Sequence, residues 1–320
     1  MTSSSNAVRI LVFFIISDSL AASMSVPDIY NFSLTSIAET LRRSKFIEYT
    51  HIPKCGTVSR KICDEGQLPC LPLPQLRKCG HYGEHCDWLA KYNCAGKKEK
   101  ITFYTLFREP VSRVRSHYNY FYPGACRNGK PLGQPAGQFW TKAMCKSEHN
   151  FTEWLLTPDN WVHNRMTRMV HGRMGSGNLC RITPRREKMY WESVLKRYKK
   201  RHAQGVFGAI PEEINSTPEI LEKAKFNLMK NFVLWGDTFE IESFFCILKK
   251  LAKNKAKKLN PDKITKPRKS RSKIESPEQK LLNDGIILQK NVLDKELYDW
   301  AMNAWHDIKV KYADVCPYKL

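Results

Sequence analysis

The chain has 320 residues, of which 42% are hydrophobic and 11% aromatic. This length suffices for one large α/β domain or two small ones, and this composition excludes an intrinsically disordered protein. The net charge is +22, from 53 lysines and arginines against 31 acidic residues. An excess of this size indicates a polyanionic partner: nucleic acid, an anionic membrane surface, a phosphorylated cofactor or an acidic polysaccharide.

The first 25 residues have the pattern of a secretory signal peptide. Arg9 precedes the apolar run from Ile10 to Ile16, and the small-residue stretch SLAASMS follows. The apolar run is shorter than the about 20 residues that span a bilayer. We therefore expect a cleaved signal or a short signal-anchor in residues 1–25, rather than a buried N-terminal helix, followed by an N-terminal segment over 26–45.

Sequons and cysteines agree with the secretory route. The three N-glycosylation sequons begin at Asn31, Asn150 and Asn215. Eleven cysteines are present, and five of them lie between Cys63 and Cys94 without any C-x-x-C pair. Disulfides are therefore favoured over a zinc site, and an oxidising lumen disfavours nucleic acid as the partner. Cys55 is the candidate for the unpaired eleventh cysteine.

The predicted elements alternate between strands and helices along the chain. The first half is expected to contain a helix over 37–44, a strand over 46–52, a helix beginning at Val58, a Cys-rich loop-like insertion over 64–94, a strand over 101–107 and a helix from Pro110. The second half is expected to contain a Gly/Pro-rich loop over 124–138, helices over 151–156, 161–171 and 190–201, a strand over 231–236, a helix over 239–251, a basic loop over 249–280 and a closing helix over 281–312. This alternation predicts one α/β domain over 46–320, with a central parallel sheet flanked by helices on both faces.

The stretch HIPKCGTVS, at the end of the first predicted strand, has the features of an anion-binding loop. Pro53 ends the strand, Gly56 allows backbone N–H groups to approach an anion, and Lys54 adds a positive charge. Thr57 and Ser59 supply hydroxyl donors at the start of the next helix. The pattern is not a Walker loop, and taken alone it is more typical of an ordinary strand-to-helix turn than of an anion-binding loop.

A second anion-binding pattern follows the second predicted strand. Arg108 ends the apolar run ITFYTLF, and Ser112 and Ser116 lie on the helix that begins at Pro110. An arginine fork beside serine hydroxyls suits a phosphate. Because parallel strands end at the same edge of a sheet, the two patterns together predict one ligand with two phosphate-like groups.

The two stretches HIPKCGTVS and FYTLFREPVSRVRSHY resemble the cofactor-binding signatures of Golgi carbohydrate sulfotransferases, most closely the heparan sulfate 6-O-sulfotransferases and then the 2-O-sulfotransferases. The resemblance implies a single P-loop-like sulfotransferase domain that uses 3′-phosphoadenosine 5′-phosphosulfate (PAPS). It assigns the 5′-phosphosulfate to Lys54, Cys55, Gly56, Thr57, Val58 and Ser59. It assigns the 3′-phosphate to Arg108 and Ser116.

Three further stretches extend the resemblance over about Phe46 to Tyr312. CGHYGEHCDWLAKYNC is similar to the family's segment with the catalytic base, WVHNRMTRMVHG to its helix near the acceptor, and LDKELYDWA to its closing helix. The implied catalytic base is His85, with His81 as the alternative, and Lys54 stabilises the leaving oxygen. The implied acceptor-binding residues are Trp88, Asn164, Arg165 and Arg168. Taken alone, Trp88 is equally typical of a core residue, and the two arginines are more typical of charges on a helix surface. No metal is expected.

The expected function is transfer of a sulfuryl group from PAPS to a hydroxyl of a heparan sulfate-like glycosaminoglycan. The expected place is the Golgi lumen, as a glycoprotein that is attached through its N-terminus, soluble after cleavage, or secreted. Cys55 and Thr57 depart from the family's usual first loop. This departure motivates the alternative of a weak or inactive enzyme that binds polyanions such as heparin. A nucleotide kinase is disfavoured by the absence of a Walker loop.

Overall fold

The computed structural model describes residues 34–50, 52, 55, 62–63, 65–71, 88–95, 100–121, 126–127, 130–131, 151–156, 162–172, 217–261 and 276–316. Several sequence predictions lie outside these residues. They are the leader over 1–25, the sequons at Asn31, Asn150 and Asn215, the loop residues Lys54, Gly56, Thr57, Val58 and Ser59, the histidines His81 and His85, and the helix over 190–201.

A three-stranded parallel sheet forms the centre of the fold. Its strands are β1 (Phe46–Tyr49), β2 (Ile101–Phe107) and β5 (Phe232–Asp237), in the order β1-β2-β5. Tyr49 pairs with Tyr104, and Phe107 pairs with Asp237, with one irregularity in β2 between Phe103 and Tyr104. The strands are near-continuous apolar runs, as expected of a parallel sheet covered by other elements. A separate antiparallel pair is formed by β3 (Cys126–Arg127) and β4 (Lys130–Pro131).

Nine α-helices accompany the strands in the described part of the chain. They are α1 (Leu34–Arg43), α2 (Trp88–Ala95), α3 (Pro110–Phe121), α4 (Phe151–Leu156), α5 (Arg165–His171), α6 (Pro218–Asn231), α7 (Ile241–Ala252), α8 (Pro277–Lys290) and α9 (Val292–Lys311). Short 3₁₀ turns over Thr238–Glu240 and Lys253–Ala256 flank α7. The structure therefore confirms the predicted α/β class.

Helices pack against both faces of the sheet, because successive residues of a strand point to opposite sides. Phe103 of β2 contacts the Trp88 ring of α2 at 5.9 Å between centroids. The next residue, Tyr104, contacts the rings of Phe244 and Phe245 in α7 at 5.9 and 6.1 Å. The apolar core thus continues through the sheet from one helical layer to the other.

The beginning of the predicted Cys-rich insertion covers the outer edge of β1. The backbone N–H of Ile47 donates to the carbonyl of Pro69 at 2.8 Å, and a disulfide joins Cys63 and Cys70. The buried carboxylate of Glu48 accepts a hydrogen bond from the Leu71 N–H and forms a 2.8 Å ion pair with Lys91 of α2. An exposed strand edge invites pairing with other chains, and this arrangement closes it.

The closing segment differs from the sequence prediction. One helix was expected over 281–312, whereas α8 and α9 are separated at Asn291. The Asn291 amide donates to the Ile287 carbonyl at 2.8 Å and accepts from the Arg113 guanidinium at 3.1 Å. It also accepts from the Asn164 N–H at 3.0 Å. These side-chain hydrogen bonds compete with the helical pattern and interrupt the helix.

Two further elements differ from expectation. Helix α6 was not predicted, and the basic loop expected over 249–280 is helical from Lys249 to Ala256. Ala256 and, beyond this helical stretch, Leu259 are fully buried. Helix α8 then begins at Pro277, within the same predicted loop. Within the described part of the chain, no helix has the length and apolarity that crossing a membrane requires.

Candidate active site

The ends of β1, β2 and β5 meet at one edge of the sheet, which we call the carboxyl edge. The Thr105 hydroxyl donates to the carbonyl of Thr50, the residue after β1, at 2.9 Å. The Thr238 hydroxyl, just after β5, donates to the carbonyl of Phe107 at the end of β2 at 2.6 Å. Buried hydroxyl groups therefore hold the three strand ends together, at the edge where open α/β sheets bind their ligands.

Arg108 is the first residue after the central strand β2. Its Nε donates to the Ser112 Oγ at 2.8 Å, and its guanidinium carbon lies 5.4 Å from the centroid of the Phe239 ring. Burial lowers the pKa of Arg108, and the nearby Asp237 and Glu109 carboxylates raise it. An arginine remains protonated in proteins under these influences, so the carboxyl edge carries a permanent positive charge.

Helix α3 begins at Pro110, two residues after Arg108, and presents two serines on one face. Ser112 and Ser116 are four residues apart, or about one turn, and Ser116 is buried. The first N–H groups of the helix are already occupied, because the Glu109 carboxylate accepts from Val111 N at 2.9 Å and Ser112 N at 2.7 Å. An anion at this position would therefore be bound by the side chains of Arg108, Ser112 and Ser116 rather than by the helix N-terminus.

Of the loop from Lys54 to Ser59, the structure describes Cys55. Its N–H donates to the Ile52 carbonyl at 2.9 Å, its carbonyl accepts from the Tyr49 hydroxyl at 2.9 Å, and its sulfur lies 3.9 Å from that of Met166. The side chain is completely buried, and burial raises the pKa of the thiol to about 12 against the opposing charges of Arg113 and Arg108. The thiol is therefore protonated at neutral pH.

Among the described cysteines, Cys55 is the one outside a disulfide, as predicted. Its N–H and its sulfur both point to protein partners. The assignment of a cofactor contact to Cys55 stays a prediction.

Helices α5 and α9 cap each other next to the carboxyl edge. The Asn164 side-chain oxygen accepts from the N–H groups of Leu293 and Asp294 at 3.1 and 3.2 Å. In return, the Asp294 carboxylate accepts from the N–H groups of Met166 and Thr167 at 3.1 and 2.8 Å. Negative groups at a helix N-terminus stabilise the helix through their favourable interaction with the helix dipole. The Asn164 amide oxygen is thus used to join two helices, and its expected contact with an acceptor is untested.

Arg165 and Arg168 lie on α5 with 6% and 5% of their surface exposed. They share one helical face, as their spacing of three predicts. His163, just before this helix, is a further titratable group that the sequence analysis did not single out. Burial, with the charges of Lys290 and Arg113, lowers its pKa to about 4, so it is a weak base at neutral pH.

Arg113 is a buried cation that no sequence pattern singles out. Its guanidinium forms an ion pair with Asp294 at 3.1 Å, and both side chains have no exposed surface. The same nitrogen donates to the Val162 carbonyl at 2.7 Å. Arg113 and Asp294 are 181 positions apart, so only the folded chain brings them together.

Asp237 places a carboxylate at the carboxyl edge and was also not predicted. It ends β5, accepts from the Phe239 N–H at 2.7 Å and accepts from the Tyr298 hydroxyl of α9. Burial raises its pKa, and the hydrogen bond from Tyr298 opposes that shift. In the sequence, Asp237 could have been recognised as a candidate because it is an acidic residue directly after the apolar run FVLWG.

Trp88 is a core residue. Its Nε1 donates to the Val170 carbonyl at 2.7 Å, and its ring contacts Phe103 and Phe232. Phe232 is the first residue of β5, so Trp88 packs on the amino half of the sheet. The acceptor contact predicted for Trp88 is untested.

No protein-family model matches the chain, and no curated protein matches its sequence. The resemblance to the sulfotransferases therefore depends on the five sequence motifs themselves.

Proposed function

We propose that this protein is a PAPS-dependent carbohydrate sulfotransferase of the secretory pathway, with a heparan sulfate-like glycosaminoglycan as its acceptor. The proposal depends most on one observation: Arg108 lies where the central parallel strand ends. Its guanidinium donates a hydrogen bond to Ser112, and Ser116 follows on the same helix. Burial raises the pKa of Cys55, from the loop after the neighbouring strand, and the charge of Arg108 opposes that shift. The proposed fold is a single P-loop-like sulfotransferase domain.

The donor set suits a ligand with two phosphate-like groups. Arg108 supplies a planar cationic fork, and Ser112 and Ser116 supply hydroxyl groups, which together match a phosphate. The loop from Lys54 to Ser59 adds an ammonium group and further donors for a second anion. Bound PAPS supplies the sulfuryl group for transfer.

In the proposed reaction, the protein positions the acceptor hydroxyl and removes its proton. His85 accepts that proton as the new bond forms, with His81 as the alternative base, and Lys54 balances the charge on the departing oxygen. His163 is a poorer choice because its lowered pKa makes it a weaker base. The scheme requires no metal ion.

An oxidising compartment is supported by the cysteines. Disulfides join Cys63 to Cys70 and Cys246 to Cys316. Disulfides persist in secretory compartments and are rare in the cytosol. The Golgi lumen, attachment through the N-terminus and glycosylation remain parts of the proposal.

The deciding experiment measures transfer of radiolabelled sulfate from PAPS to a panel of desulfated heparins, together with binding of 3′,5′-bisphosphoadenosine. Removing one charged hydrogen-bonding side chain from a bound phosphate costs about 10- to 100-fold in affinity. We expect Arg108→Ala to weaken bisphosphate binding by this factor. Arg43→Ala, at a side chain with 74% exposure, is the control and should leave binding unchanged.

The base is tested separately with His85→Ala and His81→Ala. Loss of transfer with intact bisphosphate binding in His85→Ala would support the assignment, and the same result in His81→Ala alone would move the base to that residue. A wild-type protein that does not bind the bisphosphate would refute the enzyme proposal. Bisphosphate binding without transfer to any acceptor would favour the inactive polyanion-binding alternative.

A further inference from the structure

A second cationic site lies on the amino half of the sheet, in a cavity of about 450 Å³ between α2, α5 and α6. We call it the basic cleft and define it by Trp88, His171, Lys223, Phe226 and Lys230. None of the described residues that line it is acidic. The function proposed above makes no use of it.

The walls of the basic cleft are fixed by hydrogen bonds. The Asn227 amide of α6 donates to the carbonyls of Val170 and His171 at 3.2 and 2.9 Å, and Trp88 also donates to Val170. Gly172 ends α5 at a φ of 83°, and a Cβ there would lie 3.0 Å from the Trp88 Nε1. The glycine therefore permits both the left-handed backbone and the close approach of Trp88.

One face of α6 supplies the charge of the basic cleft. Lys223, Phe226 and Lys230 follow the spacing of neighbours on a helix. The two ammonium groups lie 4.6 and 5.5 Å from the centroid of the Phe226 ring, which is 39% exposed. Neither lysine forms an ion pair within the described part of the chain, whereas Lys225 of the same helix pairs with Glu222 at 2.7 Å.

We propose that the basic cleft binds an anionic sugar of a polysaccharide chain, apart from the catalytic site. The two ammonium groups match sulfate or carboxylate groups, and the exposed Phe226 ring offers an apolar surface to the C–H face of a pyranose. A flat nucleobase would also stack on a ring, but the disulfides indicate a compartment without nucleic acid. The choice of polysaccharide rests on the function proposed above.

The basic cleft and the carboxyl edge are separated by the length of the sheet. Trp88 contacts Phe232 at the first position of β5, and Asp237 ends that strand five residues later. A strand of this length spans about 17 Å. A long polysaccharide can therefore contact both sites, and binding at one site raises the effective concentration at the other. A short acceptor at the carboxyl edge gains nothing from the basic cleft.

The test compares Lys223→Glu/Lys230→Glu in the full chain with the control Lys250→Glu/Lys258→Glu. Lys250 and Lys258 are exposed, and the second double variant makes the same change in net charge elsewhere on the surface. We expect at least about a fivefold loss of heparin affinity in the cleft variant only, as for two lost surface charge contacts. Bisphosphate binding and the melting temperature should match the wild type in both variants.

Two further readouts identify the ligand. Phe226→Ala should weaken heparin binding even at high salt, where the charges are screened. In sulfate transfer, the cleft variant should raise KM for long chains and leave KM for a disaccharide and kcat unchanged.

Equal losses of heparin affinity in the cleft and control variants, or no loss of heparin affinity in either, would overturn the proposal. A loss of affinity for duplex DNA as large as that for heparin would overturn the choice of polysaccharide. Heparin binding is measured without turnover, so the basic cleft and the enzyme proposal are tested independently. If the protein has no transferase activity but the cleft variant alone loses heparin affinity, the result would support the basic cleft and refute the proposed enzyme function.

Discussion

At the scale of single residues, Asp294 of α9 joins three helices, because its carboxylate accepts hydrogen bonds from α3 and α5. Its buried carboxylate accepts from Arg113 at 3.1 Å, from two N–H groups at the start of α5 and from the Thr167 hydroxyl at 2.9 Å. In Asp294→Asn, the amide would direct N–H groups at these donors and leave Arg113 without its counter-charge. Breaking a buried ion pair costs about 3 to 5 kcal/mol. We expect this loss in the free energy of unfolding, measured by urea denaturation.

Asp284→Asn is the matched control for this prediction. Asp284 pairs with Arg115 at 2.7 Å and with Lys280 at 2.9 Å, but the side chains of Asp284 and Arg115 are 21% and 18% exposed, and that of Lys280 is 63% exposed. Ion pairs with this exposure contribute at most about 1 kcal/mol. Similar losses in the two variants would mean that burial does not determine the strength of the Arg113–Asp294 pair.

Residues of the candidate site could be predicted from the sequence where a local pattern, such as the end of an apolar strand, fixes their location. Arg108 directly follows an apolar strand, so its location at the carboxyl edge was readable from the pattern. The ligand contacts assigned to Arg108 and Ser116 stay predictions. Arg113 lies one turn away in the same helix as Ser116, and nothing in its neighbours indicates burial. Its partner Asp294 is distant in the chain, and such pairs depend on how α3, α5 and α9 pack.

At the scale of elements, β5 is matched closely to the helices that cover it. A Cβ at Gly236 would lie 2.6 Å from a ring carbon of Phe244 and 3.3 Å from the Trp305 ring. Both rings are buried and cannot move aside easily. We expect Gly236→Ala to lower the free energy of unfolding by about 1 to 3 kcal/mol, because overpacking a core has this cost.

Gly285→Ala should raise the free energy of unfolding, whereas the same substitution at Gly236 should lower it. Gly285 lies inside α8, is exposed, and a Cβ there would meet no atom within 4 Å. Alanine is favoured over glycine in a helix by about 1 kcal/mol. Urea denaturation of both variants checks the pair, and stabilisation by Gly236→Ala would contradict the packing of β5 described here.

The strands were easier to predict than the helices. Strand β2 has the bounds that its apolar run indicates, and β5 differs from its prediction by one residue at each end. Strand β1 begins at Phe46 as expected but ends at Tyr49, three residues before the end predicted for it. Helix α6 was missed because its lysines interrupt the apolar pattern, leaving only Leu221, Ala224 and Leu228 as buried apolar positions. The break at Asn291 was missed because its cause, contact with Arg113 and Asn164, comes from distant parts of the chain.

At the scale of the whole molecule, the last helix closes the domain. Helix α9 lies along β5: Ala301 accepts a hydrogen bond from Trp235 on one face of the strand, and Trp305 contacts Phe244 on the other. The disulfide between Cys246 of α7 and Cys316 fixes the end of this arrangement, across a sequence separation of 70 residues. The network around Asp294 fixes its beginning. The two attachments therefore hold the same helix at opposite ends.

The Cys246–Cys316 disulfide should stabilise the fold more than the Cys63–Cys70 disulfide, whose separation is 7 residues. A cross-link restricts the unfolded chain, and the effect grows with the length of the closed loop. We expect Cys246→Ser/Cys316→Ser to lose about 4 kcal/mol in the free energy of unfolding, and Cys63→Ser/Cys70→Ser about 2.5 kcal/mol. Urea denaturation of both double variants without reductant measures the difference. A larger loss from the short loop would show that contacts in the folded state, rather than restriction of the unfolded chain, determine what each disulfide contributes.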